Sequence, residues 1–284
     1  MRNISVFDES FDSQATSTYH LSIQYSEQNC SYSILDTSRM RYIAFRNFWF
    51  PGPVPAKKQA DQIRSLLLGE SCFAHSYKSV YFMYLTPFSV LVPTSLFMKE
   101  NPGIYLKFSS QIKPTDKIVF RKIPAIDAFT VFPVPQDFVD QVGNILNDVQ
   151  YFHQSCPQIT ETIAESTGLA DHTRVLANIN PGFVDLMIIR ADQLLLYNSF
   201  AIRNTDDLVF FILYLFKHFG LLQEESPVIL SGFVEMYPGT TELLHHYVKT
   251  TAIREFPKSY TYSDIFSGLS QHHYSQLFNL ALCE

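Results

Sequence analysis

The feature that most constrains this chain is the stretch from Arg174 to Phe233. Arg174-Val-Leu-Ala-Asn-Ile reads as a buried strand, Asn180-Pro-Gly182 as a tight turn, and Val184 to Arg190 as the returning strand. Ala191-Asp-Gln193 turns again into Leu194-Leu-Leu-Tyr-Asn-Ser-Phe. An apolar helix follows. Thr205 is placed as its N-cap, Asp206 and Asp207 complement the dipole at its start, Lys217 and His218 lie in its last turn, and Gly220 stops it. Its interior, Leu208-Val-Phe-Phe-Ile-Leu-Tyr-Leu-Phe, is apolar all round and predicts cover on more than one face. Val228-Ile-Leu-Ser-Gly232 is a short buried strand ending in a glycine turn, Thr240 to Val248 a helix, and Ile253-Arg-Glu-Phe an edge strand.

A divergent copy of this unit opens the chain. Tyr19-His-Leu-Ser-Ile-Gln-Tyr alternates, turns at Ser26–Asn29, alternates again from Cys30, turns at Asp36–Arg39 and runs extended from Met40 to Phe50. Pro51-Gly-Pro-Val-Pro55 breaks the sheet ahead of a helix over 57–68, and Tyr77–Leu85 and Phe88–Val92 read as further strands. Residues 101–133 alternate in short runs, including Ile104–Phe108, and predict a small inserted β-rich subdomain. Helices are expected over 135–146 and about 157–166, with a strand near 149–152 between them. The expected division is a loose arm over 1–18, a first lobe over 19–172 and a second over 173–284. A terminal helix over 273–282 is expected to pack back on the first lobe. The fold class is α/β with mixed sheets, each half joining an antiparallel meander to a helix-linked parallel strand.

Composition narrows the function. Hydrophobic residues are 46% and charged residues 17% of the chain, which suits packed cores rather than disorder. A net charge of −6 without a basic cluster argues against a nucleic-acid partner. The 25 Phe and 16 Tyr then belong to cores and sheet faces, since no Arg/Lys framework accompanies them. Cys30, Cys72, Cys156 and Cys283 form no CxxC pair, which predicts reduced thiols. The longest apolar run, Leu208–Phe216, is far short of the roughly 20 residues a membrane span needs. The polar, acidic start lacks an apolar signal region, and the expected setting is the cytoplasm.

The common P-loop, dinucleotide, zincin and nucleophile-elbow signatures are absent. His245-His246 and His272-His273 are adjacent pairs. On a helix such neighbours point about 100° apart, so they read as surface histidines and no metal site is expected. Asp206-Asp207 are explained by the helix start, and Glu224-Glu225 by a solvated loop. Asn180-Pro-Gly182 reads as a plain hairpin turn or as an anion-binding turn.

The duplicated plan resembles the actin-like ATPase fold, a doubled ribonuclease-H-like architecture of two lobes with a cleft, shared by sugar kinases, heat-shock chaperones and the cell-division and pilus-assembly actins. More narrowly, Leu194-Leu-Leu-Tyr-Asn-Ser-Phe, the helix from Thr205 to Gly220 and Leu230-Ser-Gly232 resemble an uncharacterised bacterial family of unknown function with that fold. The likeness covers roughly Tyr19 to the end. It implies three glycine turns: two Asp-x-Gly hairpins that wrap phosphates and hold magnesium, and a Leu-x-Gly-Gly turn against the adenosine. This chain departs at each. In the second hairpin Asn178 stands for the metal-directing Asp and Asn180 for a glycine, with Gly182 in the turn and only the outer Asp185 retained. Ser22-Ile-Gln24 occupies the first hairpin position, and the turn that follows it has no glycine. In the third turn Ser231 and Gly232 remain and Phe233 replaces the second glycine. The resemblance therefore implies a non-catalytic protein that binds a protein partner, needs neither ATP nor magnesium, and leaves homo-oligomer formation open. The alternative is a divergent ATPase or phosphotransferase with Asp185 as its catalytic carboxylate and Asn178, Asn180, Gly182, Ser231 and Gly232 as nucleotide turns.

Overall fold

The computed structural model describes residues 2–107, 112–166 and 173–283, and the chain divides into two units. The first contains residues 1–157, 258–269 and 276–284; the second contains 158–257 and 270–275.

In the first unit β1 (Ile4–Phe7), β2 (Tyr19–Tyr25), β3 (Asn29–Asp36) and β4 (Arg41–Trp49) are followed by helix α1 (Ala56–Gly69) and β5 (Ser79–Tyr84). Strands β6 (Val90–Pro93), β7 (Asp116–Ile123) and β8 (Ala128–Pro135) precede helix α2 (Gln136–Gly143), β9 (Val149–Phe152) and helix α3 (Ser155–Ser166). The main sheet runs β1-β4-β3-β2-β5-β9, and Thr261–Tyr262 adds a short parallel pairing to β4. β2, β3 and β4 are an antiparallel meander; β5 pairs parallel with β2, and β9 with β5. Every residue of β2 and β3 is buried, so both sheet faces are covered, as crossover helices require. Leu21, Ile23 and Tyr25 share one core with Ile63 and Leu67 of α1 and Phe138 and Val142 of α2.

The second unit repeats the plan. β10 (Thr173–Asn180), β11 (Phe183–Arg190) and β12 (Gln193–Ala201) form the meander. Helix α4 (Thr205–Phe219) leads to β13 (Val228–Gly232), which pairs parallel with β10. Helix α5 (Thr240–His245) leads to β14 (Thr251–Ile253) on the far side of β13. The order β12-β11-β10-β13-β14 matches β4-β3-β2-β5-β9 strand for strand. Both sheets are therefore the same meander plus two parallel strands, which is the duplication expected from sequence.

Several expectations need correction. The segment read as a loose arm contributes β1, whose Ile4 amide donates to the Asn47 side-chain oxygen at 2.7 Å; a four-residue edge strand is too short to show a period and gains its order from the ladder. The small sheet is β6-β8-β7 and begins at Val90. Ile104 lies in a 3₁₀ turn, Pro102–Leu106, where Pro102 fixes the first turn; Phe108 lies outside the described residues. The unit boundary falls within α3, between Pro157 and Gln158, and not at 172. The N-cap of α4 is Asn204, whose side chain accepts from the Asp207 amide at 2.8 Å, one residue before the expected Thr205. Gly220 ends that helix at φ 62° as expected. However, α4 buries only Leu208, Val209, Ile212, Leu215 and Phe216; Phe210 (61% exposed) and Tyr214 (47%) face solvent. The terminal segment is not one helix but three short turns: Gln271–Tyr274, Ser275–Phe278 and Leu280–Leu282. In the first unit, Phe278 packs on Tyr42 and Phe45, and the Tyr42 hydroxyl donates to its carbonyl at 2.5 Å.

Candidate functional site

In open α/β sheets ligands sit at the carboxyl ends of the parallel strands, where turns present free backbone groups. In the second unit those ends are Asn180 and Gly232, and four predicted site residues meet there. Asn178 is opposite Asp185 in the β10–β11 ladder and beside Ser231 in the β10–β13 ladder. Ser199 is opposite Asp185 on β12, so one polar row, Ser199–Asp185–Asn178–Ser231, crosses four strands. Asn178, Asn180, Asp185 and Ser231 are each at most 5% exposed.

Hydrogen bonds tie the row together. Asp185 accepts from the Ser199 hydroxyl at 2.5 Å, from the Asn180 amide at 2.9 Å and from the Gln158 amide at 3.2 Å. Ser231 donates to the Asn178 side-chain oxygen at 3.0 Å, and the Asn178 amide reaches the Asn180 side-chain oxygen at 3.4 Å. Burial, followed by the neighbouring Asp185 carboxylate, pushes the Tyr197 phenol well above its ordinary range, so it stays protonated beside that carboxylate. A buried carboxylate needs such donors, and here serine and amide side chains supply them. Asn178 contributes no charge toward a cation.

The two glycines serve different purposes. Gly182 has φ +87° and open space around its missing Cβ, so the Pro181–Gly182 turn needs glycine for its backbone angle alone. Gly232 has φ +76°, and a Cβ there would lie 2.1 Å from the Ile179 carbonyl oxygen. The next amide, Phe233, donates to that same oxygen at 2.8 Å. Gly232 is thus held by close strand-to-turn packing. Phe233 is 1% exposed and lies against His273 (ring centroids 5.2 Å apart) and Tyr274 (5.9 Å). Its ring fills protein interior at the turn where the resemblance places an adenosine.

The first unit carries a comparable buried polar set. Ser22 faces Ser33, and Gln24 faces Ser31, which faces Asn47. Ser26 closes the glycine-free turn by donating to the Asn29 side-chain oxygen at 2.8 Å. His20 bridges Ser79 at 2.7 Å and Ser22 at 2.9 Å, and burial lowers it to about 4, so it is a neutral structural histidine at pH 7. A groove of about 530 Å³ in this unit is lined by Glu70, His75, Lys78, Ser79 and Asp148. It opens at the amino ends of β5 and β9, opposite the end that carries the turns.

One cluster was missed by the sequence reading. Glu235, three residues past Gly232, faces both His272 and His273: their Nε2 atoms lie 2.9 Å and 2.7 Å from its two carboxylate oxygens. The adjacent histidines converge although helical spacing argued against it, because they sit on a tight 3₁₀ turn with the carboxylate between them. No sequence signal links residues 37 apart. Asp206, Asp207, Glu224 and Glu225 gather no such partners among the described residues; Asp207 accepts from the Arg203 amide at 2.9 Å, as a helix-start carboxylate does.

Two sheets of one strand order, each with turns at the carboxyl ends of its parallel strands, define the class of actin-like ATPase folds. The chain is similar to a protein of Bacteroides thetaiotaomicron with an actin-like ATPase fold and unknown function: TM-score 0.80, 18% identity, covering 96% of this chain and 99% of that one. It is also similar to a chain of the PilM–PilN type IV pilus biogenesis complex, with TM-score 0.61 and 13% identity over 93% and 97% of the two chains. Within that class, residues 8–251 match the family described as "Protein of unknown function (DUF3822)", and the chain belongs to it. No curated protein matches it by sequence. No helix among the described residues is long and apolar enough to cross a membrane.

Proposed function

We propose that this protein is a non-catalytic scaffold that works by binding another protein. The observation that carries the reading is the state of Asp185. Its carboxylate accepts hydrogen bonds from Ser199, Asn180 and Gln158 and lies beside an uncharged Asn178, which supports a residue that ties the sheet together rather than one that directs a metal. Phosphoryl transfer in related folds depends on carboxylates that hold magnesium and on glycine amides around the phosphates. Here the glycine positions are taken by Asn180 and Phe233.

The surface that supports a protein partner is the outer face of α4. Phe210 and Tyr214 are exposed one turn apart with rings 6.3 Å apart, and Tyr214 stacks on His218 at 5.6 Å. Large aromatics exposed together on a helix are the residues that anchor protein interfaces. The fold neighbour from the PilM–PilN complex is likewise found with a protein partner.

The test is a Phe210→Ser/Tyr214→Ser double variant in the native cell. Both side chains face solvent, so stability should change by no more than about 0.5 kcal/mol each. Proteins that co-purify with the wild-type chain should be lost from the variant. An unchanged co-purifying set, with the variant folded, would reject this surface. Concentration-dependent light scattering removed by the same substitutions would make the partner a second copy of the chain.

A further inference from the structure

We propose that Glu235, His272 and His273 form a binding site for one divalent transition-metal ion, zinc by preference, which clamps the Gln271–Tyr274 turn onto the turn after β13. The three ligand atoms lie within 4.8 Å of one another, with nitrogen–oxygen separations of 2.9 and 2.7 Å. Zinc bonds of about 2.0–2.2 Å in tetrahedral geometry put ligand atoms roughly 3.3–3.5 Å apart. Each imidazole need only back away from the carboxylate by roughly half an ångström. Two imidazoles and one carboxylate are the three-ligand set that zinc accepts with a fourth position left to water, whereas magnesium and calcium require oxygen donors.

The site is also prepared. Phe233 and Tyr274 pack on the His273 ring, at 5.2 and 5.8 Å between centroids, and the two histidine rings meet edge to face at 4.5 Å. These contacts restrict the rotamers before an ion arrives, as supporting residues around metal ligands do. The Glu235 side chain is 55% exposed while the histidine side chains are 16% exposed, which gives an ion a path from solvent and a ligand set backed by protein.

The experiment uses the full chain without an affinity tag, treated with chelator and dialysed. Zinc chloride is titrated by calorimetry, and cobalt chloride by visible absorption. One ion per chain is expected, with the intense ligand-field bands of tetrahedral cobalt appearing and then disappearing as zinc displaces it. Zinc should raise the melting temperature of the wild type. Glu235→Gln and His272→Gln should each weaken zinc by more than about a hundredfold, beyond what loss of a supporting partner costs. His245→Gln/His246→Gln should leave binding intact. Should His273→Gln fail to fold, the other two variants carry the test. Absence of saturable binding by the wild type, binding that survives Glu235→Gln, or binding removed by the His245/His246 control would overturn the site.

Discussion

Gly232 is the one glycine retained from the expected nucleotide turn, so the reason for its retention can be measured. Replacing it with alanine forces an L side chain into left-handed backbone at φ +76°, a cost of about 1–2 kcal/mol. It also puts a Cβ 2.1 Å from the Ile179 oxygen, well inside any permitted contact. The obstacle is backbone in a paired strand, so the turn must retreat. That breaks the 2.8 Å bond from the Phe233 amide to Ile179 and leaves buried groups unpaired, a further loss of about 1–3 kcal/mol. Gly182→Ala carries the angle cost alone, because nothing lies within 4 Å of its Cβ position. Gly232→Ala should therefore destabilise by about 2–5 kcal/mol, and Gly182→Ala by about 1–2 kcal/mol. Thermal unfolding followed by circular dichroism, at about 2–4 °C per kcal/mol, resolves the two. If Gly232→Ala melted with or above Gly182→Ala, packing against Ile179 would not be what holds that glycine.

Two other perturbations follow from buried charge. His153 is fully buried, its Nε2 donates to the Thr86 carbonyl at 2.9 Å, and burial lowers it to about 4 from an ordinary value of 6.5. Between pH 6.5 and 4 the unfolded chain binds a proton there that the folded chain does not, so this contribution is complete above pH 6.5 and is lost on acidification toward pH 4. A fall of roughly 2–3 kcal/mol is expected across that window, read by denaturant melts at stepped pH, and His153→Gln should flatten part of it; an unchanged slope would contradict the assignment. Arg254, 9% exposed, pairs with Glu161 at 3.2 Å and Glu165 at 2.7 Å. Arg254→Ala strands the buried Glu161 and should cost about 3–5 kcal/mol in urea unfolding; a loss below 1 kcal/mol would mean that the pair is not closed in solution.

Much of this architecture is legible in the sequence where local signals and tertiary structure agree. The Asn180–Phe183 hairpin, the Gly220 stop and the parallel strand ending at Gly232 each carry a residue that only one backbone conformation explains. The polar row was legible as a set of replaced residues, since Asn178, Asn180 and Asp185 stand at fixed hairpin offsets. What could not be read was anything decided by distant partners. β1 is only four residues long and is ordered by its pairing with β4. Alternation at Ile104–Leu106 yielded to Pro102, and the all-apolar α4 left Phe210 uncovered because it packs on its own sheet with one face. Glu235 meets His272 and His273 only because the chain returns to β13 with a turn near its end.

The central claim is that hydrogen bonds and packed rings close what would be a nucleotide-binding turn. Calorimetric titration of the wild-type chain with ATP and magnesium tests it most directly. The account predicts no saturable heat at millimolar nucleotide and no phosphate release distinguishable from that of Asp185→Ala. Micromolar ATP binding that Gly182→Ala or Asp185→Ala abolishes, in variants still folded, would contradict it.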